Sequence, residues 1–266
     1  MNDRLHSALR LPYRLSSTVI PGPKPTVVLL HGIAASRSSW QNLLPELEGK
    51  YQVVSFDLLG FGTSPKPQSA DYSADDHVRS IRYSLLRLGI TGPIILIGHS
   101  MGALLAVHYA ARYRQGVQRL VLCSMPLLND SELDTNLILK NWTESSTNVY
   151  LRVYRSLRES QDLTLRGAKV FSRLSLRNYG FTLDQATWYS FCQSLENTIE
   201  HQRTHLELPR IHVPINLLYG QFDELIIQPK LQALTQARPE ITLRTLPCSH
   251  LITKVYARAI SNVLGL

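Results

Sequence analysis

The sequence predicts an α/β protein: a parallel sheet covered by helices on both faces, interrupted once by a block of helices. Two observations carry this. Short apolar runs of strand length alternate with longer segments of helical period. That alternation stops after Pro126 and resumes at Val213.

The elements follow in order. "TVVLLHG" (Thr26–Gly32) comes after the turn-rich "PGPKP", and "YQVVSFDLLGFG" (Tyr51–Gly62) ends in glycines. Residues Asp75 to Leu88 have helical period, and Ile94 to Ile97 form another short apolar run. A helix is expected from Ala103 to Tyr113, then a strand in "VQRLVLCS" (Val117–Ser124). Such runs are continuously apolar, as strands of a parallel sheet buried on both faces must be. From Pro126 to about Glu207 the chain is amphipathic at helical spacing, rich in Ser, Arg and aromatics, with no strand run. Strand and helix then return in "VPINLLYG" (Val213–Gly220), "QPKLQALTQARP", "ITLRTLP" (Ile241–Pro247) and a last helix from about Thr253 to Val263. Because the chain returns to its earlier alternation, residues 1–125 and 208–266 are expected to form one core. Residues 126–207 are then expected to be an inserted helical cap over the strand ends rather than a tandem domain.

Composition narrows the class. The chain has 266 residues, 44% hydrophobic and 18% charged, ordinary for a globular protein. No apolar run approaches the roughly 20 residues of a membrane span, and the N-terminal stretch lacks a signal-peptide core, so a cytoplasmic enzyme is expected. Three scattered cysteines, Cys123, Cys192 and Cys248, with no CxxC, argue against a disulfide framework or a zinc site. The net charge is +8, yet residues 126–207 hold 9 Lys/Arg against 10 Asp/Glu. The excess therefore lies outside that segment, spread as single residues such as Arg79, Arg82, Arg112 and Arg119. Clustered basic residues interleaved with aromatics would suit nucleic acid. Their absence favours a solvated basic surface and no nucleic-acid partner; long-range attraction for anionic substrates or membrane surfaces is the lesser alternative.

The stretch "PIILIGHSMGALLAVHYAARY" places Ser100 where a strand meets a helix, with Gly98 and Gly102 two residues to either side. Glycines there permit a tight strained turn that lifts the hydroxyl above the sheet and sets the Met101 amide at a helix N-terminus, the nucleophile elbow. A neutral serine needs a base and a group that orients the base. In the chain order this geometry uses, Asp223 in "YGQFDELI" and His250 in "LPCSHLI" each follow a strand. An ordinary N-cap serine would explain Ser100 alone but not the ordered trio. Glu224 is a rival for the acid, as are Asp130 and Glu132 after the earlier strand.

With these residues, and with "HGIAASRSSW" (His31–Trp40) and "DLLGFGTS" (Asp57–Ser64), the sequence resembles the α/β-hydrolase superfamily, in its cap-bearing branch of esterases, C–C bond hydrolases and cofactor-free haloperoxidases. The resemblance runs from about Tyr13 to the end and is weakest across 126–207. It implies an α/β-hydrolase fold, with Ile33 supplying a second oxyanion-hole amide beside Met101. It also separates this chain from relatives that carry aspartate at the elbow.

The expectation is a serine hydrolase for ester-like small molecules, with Ser100, Asp223 and His250 as the triad and no metal or organic cofactor. The alternatives are a C–C bond hydrolase or lyase-like enzyme using the same triad, separable by its products, and a ligand-sensing protein of this fold, marked by single turnover. His31 is expected to brace loops, His99 to pack under the elbow facing away from a base's place, and Asp57 to bond backbone in its turn. Cap aromatics and leucines, among them Leu137, Tyr150, Tyr154, Phe171, Phe181, Trp188 and Phe191, are expected to supply, at least in part, an apolar pocket facing Ser100. His201 and His205 stand four apart without the Glu of a zinc-binding HExxH, so a solvated helix face explains them.

Overall fold

The computed structural model describes residues 11–128, 137–174 and 181–266. Among them, seven strands form one sheet in the order β1-β3-β2-β4-β5-β6-β7. They are β1 (Ser17–Ile20), β2 (Thr26–Leu30), β3 (Gln52–Phe56), β4 (Ile94–His99), β5 (Val117–Cys123), β6 (Ile215–Gly220) and β7 (Ile241–Leu246). β1 is antiparallel to β3, and every other pairing is parallel. β1 has no counterpart in the sequence reading. Four half-exposed residues at a sheet edge present neither a run nor a full alternation.

The six apolar runs are strands because both faces of the sheet are covered. All five residues of β2 and all six of β4 are buried. Alternate residues feed opposite cores. Val28, Leu30, Leu96 and Leu122 pack beneath α2 (Ala74–Arg87) and α3 (Met101–Arg112). Val27, Leu29, Ile95 and Ile97 pack with Trp40, with α1 (Leu44–Leu47) and with α9 (Lys254–Leu264), so Trp40 is core and not pocket. Ser73 caps α2 by accepting from the Asp76 amide, with Asp75 and Asp76 favourable at its positive end.

Between β5 and β6 the described chain forms α4 (Leu137–Glu159), α5 (Gln161–Leu174), α6 (Trp188–Ser194), a π-helical turn (Leu195–Glu200) and α7 (Thr204–Glu207). After β6 comes α8 (Gln228–Ala237). Hydrogen bonds fasten the intervening helices to the loops at the strand ends. The Ser190 hydroxyl donates to Gly60 O at 2.7 Å, Thr198 to Tyr72 O at 2.9 Å, and the Thr182 amide to Ala34 O at 2.7 Å. Gly60 has φ +85°, and a Cβ there would lie 2.3 Å from Ser190 Cβ, so only glycine admits this approach.

His108 on α3 binds carboxylates from two other elements: Nδ1 with Glu207 of α7 and Nε2 with Asp75 of α2, the latter at 3.2 Å. Burial disfavours the imidazolium, but the two carboxylates outweigh it and raise the His108 pKa. The folded value then exceeds the unfolded one, so this stabilisation is complete below the ordinary histidine pKa of about 6.5 and is lost as pH rises through the raised value. Half-exposed Asp75 limits it to about 1 kcal/mol, roughly 2–4 °C in Tm. His108→Gln should lower Tm by that amount at pH 5.5, with the gap closing towards pH 8.5. A gap independent of pH would mean that packing, not charge, is what the substitution removes.

Candidate active site

Ser100 stands between β4 and α3 with φ 54° and ψ −121°, a left-handed conformation that costs a non-glycine residue of order 1–3 kcal/mol. The flanking glycines show why the turn closes nonetheless. A Cβ on Gly98 would fall 2.2 Å from Gly102 O, and one on Gly102 would fall 2.2 Å from Leu30 O. The helix therefore starts directly against the ends of β4 and β2, and the serine is thrown forward. Its side chain makes no capping bond to α3, while its amide donates to Cys123 O at 2.9 Å. Met101 is the first helical residue, whose amide has no intrahelical acceptor. Gly32 passes close by, a Cβ there lying 3.1 Å from Ser100 Cβ, and Ile33 follows on the cavity wall.

Asp223 and His250 come from the loops after β6 and β7 and meet side by side. His250 Nδ1 donates to the Asp223 carboxylate, 2.9 Å from each oxygen. Asp223 also accepts from the Leu225 amide at 3.0 Å. Burial opposes its ionisation, but the His250 bond and charge, helped by the Ser124 hydroxyl and that amide, hold its pKa below the usual carboxylate value. Neighbouring Glu224 is exposed, and its carbonyl accepts from Tyr150 OH at 2.5 Å. Asp130 and Glu132 lie outside the described residues.

Two further groups adjoin the pair, and of these only Ser124 has no signal in the sequence. Ser124 ends β5 with φ 48°, fully buried, and its hydroxyl meets Tyr256 OH at 2.6 Å beneath Asp223. His99, expected to point the wrong way for a base, is turned towards His250. It is on the cavity wall, its ring 4.7 Å from the His250 ring, and Nε2–H donates to the His250 carbonyl at 2.8 Å. Burial first, then the nearby His250, push its pKa down to about 3, so it stays neutral. The backbone turn required by Ser100 aims the preceding side chain at the β7 loop, which a strand-by-strand reading cannot see.

His31 and Asp57 brace loops as their types suggested. His31 Nε2 accepts from the Leu58 amide at 2.9 Å and Nδ1–H donates to Gly32 O at 2.7 Å. Burial lowers its pKa to about 4. Asp57 accepts from the amides of Arg37 and Thr63, each at 2.8 Å, and pairs with the Arg37 guanidinium. Among the described residues, no group of three or more His, Cys, Asp or Glu could hold a metal ion.

A cavity of about 870 Å³ lies over Ser100, His250, Gly32 and Ile33. Its far wall comes from the chain between β5 and β6, including Tyr154, Leu157, Phe181, Phe191 and Leu195. Tyr150 and Trp188 do not line it, and the side chains of Leu137 and Phe171 lie outside the described residues.

A parallel sheet with a strained serine elbow, and a carboxylate–histidine pair in the loops beside it, defines a class, and the comparisons supply the family. Residues 25–254 match the model described as the alpha/beta hydrolase fold, and the chain belongs to that family. Over 136 residues it is 33% identical to a probable lysophospholipase, BODYGUARD 5 of Arabidopsis thaliana, covering 49% of this chain and 31% of that protein. Other early matches cover similar shares, so the aligned stretch spans about a third of those relatives, 30% for an uncharacterized protein of Mycobacterium tuberculosis. A 2-hydroxy-6-oxo-6-(2'-aminophenyl)hexa-2,4-dienoic acid hydrolase of Metapseudomonas resinovorans is 24% identical over 75% of this chain and 68% of its own length. In structure, the chain resembles an esterase from Exiguobacterium antarcticum with TM-score 0.75 and 17% identity, covering 94% of both chains. It also resembles a meta-cleavage product hydrolase of Pseudomonas fluorescens with TM-score 0.69 and 18% identity, again covering 94% of both.

Proposed function

We propose that the chain is a serine hydrolase that cleaves carboxylic ester-like substrates through an acyl-enzyme. The observation that carries this is that His250, on the wall of the cavity that Ser100 also lines, donates its Nδ1–H to Asp223 buried behind it. With the proton held on Nδ1, Nε2 keeps its lone pair and is the base. It takes the Ser100 proton as Oγ attacks the substrate carbonyl, and the ionised Asp223 stabilises the imidazolium. The Ile33 and Met101 amides receive the oxyanion, each donor worth a few kcal/mol. His250 then protonates the leaving alcohol, and water attacks the acyl-enzyme by the same route. Residues 126–207 act as a cap whose apolar wall excludes water and holds the acyl or alcohol chain.

The test is covalent. A fluorophosphonate should add one phosphonyl group per chain, mapped by peptide mass to Ser100, and block turnover of p-nitrophenyl esters. An adduct on any other residue, with Ser100 unmodified, would refute the assignment. A second reading, hydrolysis of a C–C bond by the same residues, has support in the likeness to the Metapseudomonas enzyme over most of the chain. Release of a carboxylic acid and an enol from a vinylogous diketone, with no ester turnover, would favour it.

A further inference from the structure

Of the eleven large apolar side chains left exposed among the described residues, six lie on the elements around one opening, and the other five, Leu206 and Leu86 among them, lie elsewhere. Leu163, Phe222, Val149, Val170 and Leu225 are 72, 63, 58, 54 and 52% exposed, and Val153 is 49% exposed. All six sit on α4, on α5 or in the loop after β6, the elements that wall the cavity. Leu163, Phe222 and Leu225 are themselves part of its lining. On α4, Val149 and Val153 continue the row of the lining residues Ser156 and Ser160 at steps of four, three and four. On α5, Leu163, Gly167 and Val170 share one row, and the first two line the cavity. Thr164 Oγ1 donates to Leu157 O at 2.8 Å and clasps the two helices together. Such rows share one helix face, so the apolar wall runs out of the cavity as a lip. Isolated exposed apolar residues need no explanation, but a connected set at the mouth of a site marks an interaction surface.

The charge beside the lip says what it meets. Arg152 and Arg155 on α4, and Arg166 and Lys169 on α5, are all exposed, each one residue before a member of the apolar rows and so about 100° around the helix from it. Exposed carboxylates are Glu159 and Asp162, at the junction between the helices, and Glu224 in the loop after β6, so four exposed cations stand against three exposed carboxylates among the described side chains of the lip. An apolar row flanked by cations on long aliphatic stems suits a lipid–water boundary. There the apolar groups enter the acyl layer and the cations reach the phosphates. Among the described residues no helix is long and apolar enough to cross a membrane, so the contact is with a surface.

We infer that the lip formed by α4, α5 and the loop after β6 docks on an anionic lipid surface, so that the cavity opens into the acyl layer. One consequence rests on the hydrolase reading: the favoured substrates are then amphiphilic esters with a single long acyl chain, drawn from that layer to Ser100.

Flotation with vesicles tests the docking. Vesicles of phosphatidylcholine alone are compared with three parts phosphatidylcholine to one part phosphatidylglycerol, at low salt. The wild-type chain should partition onto the anionic vesicles roughly tenfold or more better than onto the neutral ones, and lose that advantage in high salt. Val149→Asp combined with Val170→Asp should cut partitioning at least about tenfold with Tm unchanged. Should that variant not fold, hydrogen exchange of the wild type decides, with anionic vesicles protecting residues 146–170. The inactive Ser100→Ala chain should float as the wild type does, so docking is scored apart from hydrolysis. If Ser100→Ala still turns over esters, the hydrolase reading fails while flotation continues to decide the docking. No flotation, equal partitioning onto both vesicles, undiminished flotation of the folded double variant, or protection confined to another face would each overturn the docking surface.

Discussion

Ser100→Ala is expected to reduce ester turnover by roughly 10⁴- to 10⁶-fold and to abolish fluorophosphonate labelling, with the fold intact. The loss is large because, in the mechanism proposed above, the Ser100 hydroxyl is the attacking group. Removing the hydroxyl leaves the oxyanion amides and the cavity, which retain only a small residual catalysis over water. The fold should survive because the Ser100 side chain makes no capping bond, and its structural contact, the amide donating to Cys123 O, is backbone. Alanine also keeps the strained φ that the glycines on either side make possible. Turnover and labelling in the variant are read beside far-ultraviolet dichroism. Wild-type activity in Ser100→Ala would remove this serine from the reaction.

Asp223→Asn should lower kcat by about 10⁴-fold and KM little, because an amide cannot hold the imidazole in the tautomer that leaves Nε2 free. At Asp223 both carboxylate oxygens sit 2.9 Å from His250 Nδ1, so an amide replaces one of the two acceptors facing Nδ1–H with an NH₂ donor and removes the negative charge. The imidazole would then offer its lone pair to that amide and its proton to the substrate, the reverse of what attack requires. Glu224→Gln is the control. Glu224 is exposed and His250 is bonded to its neighbour, so its loss should change kcat by less than about threefold. A large loss in Glu224→Gln with little in Asp223→Asn would move the acid by one residue.

The sheet and the elbow were legible because the constraints that make them act over a few residues. A strand buried on both faces must be apolar at every position, and β2 and β4 are. A serine turn packed against neighbouring backbone must have glycine at both flanks, since any Cβ at Gly98 or Gly102 would strike a carbonyl. β1 escaped notice because an edge strand is under neither constraint. The order in which Ser100, Asp223 and His250 follow their strands could be read from the chain, and the family resemblance favoured Asp223, but the residues alone left Glu224 as a rival for the place facing His250. That choice depends on the turn after β6, where the Asp223 amide bonds to Gly220 O and the carboxylate accepts from Leu225.

The sequence by itself determined the alternation of strand and helix, the strained serine between two glycines, and the residue types available for the reaction. Each is fixed by sterics or burial within a short stretch of chain. Tertiary structure alone decided which side chains meet: His99 against His250, Ser124 and Tyr256 under Asp223, and Tyr154, Phe181 and Phe191 across the cavity from Ser100. These contacts join segments far apart in the chain. Their geometry is set by how the sheet twists and how the helices between β5 and β6 lie on it, and no local pattern of residues encodes that.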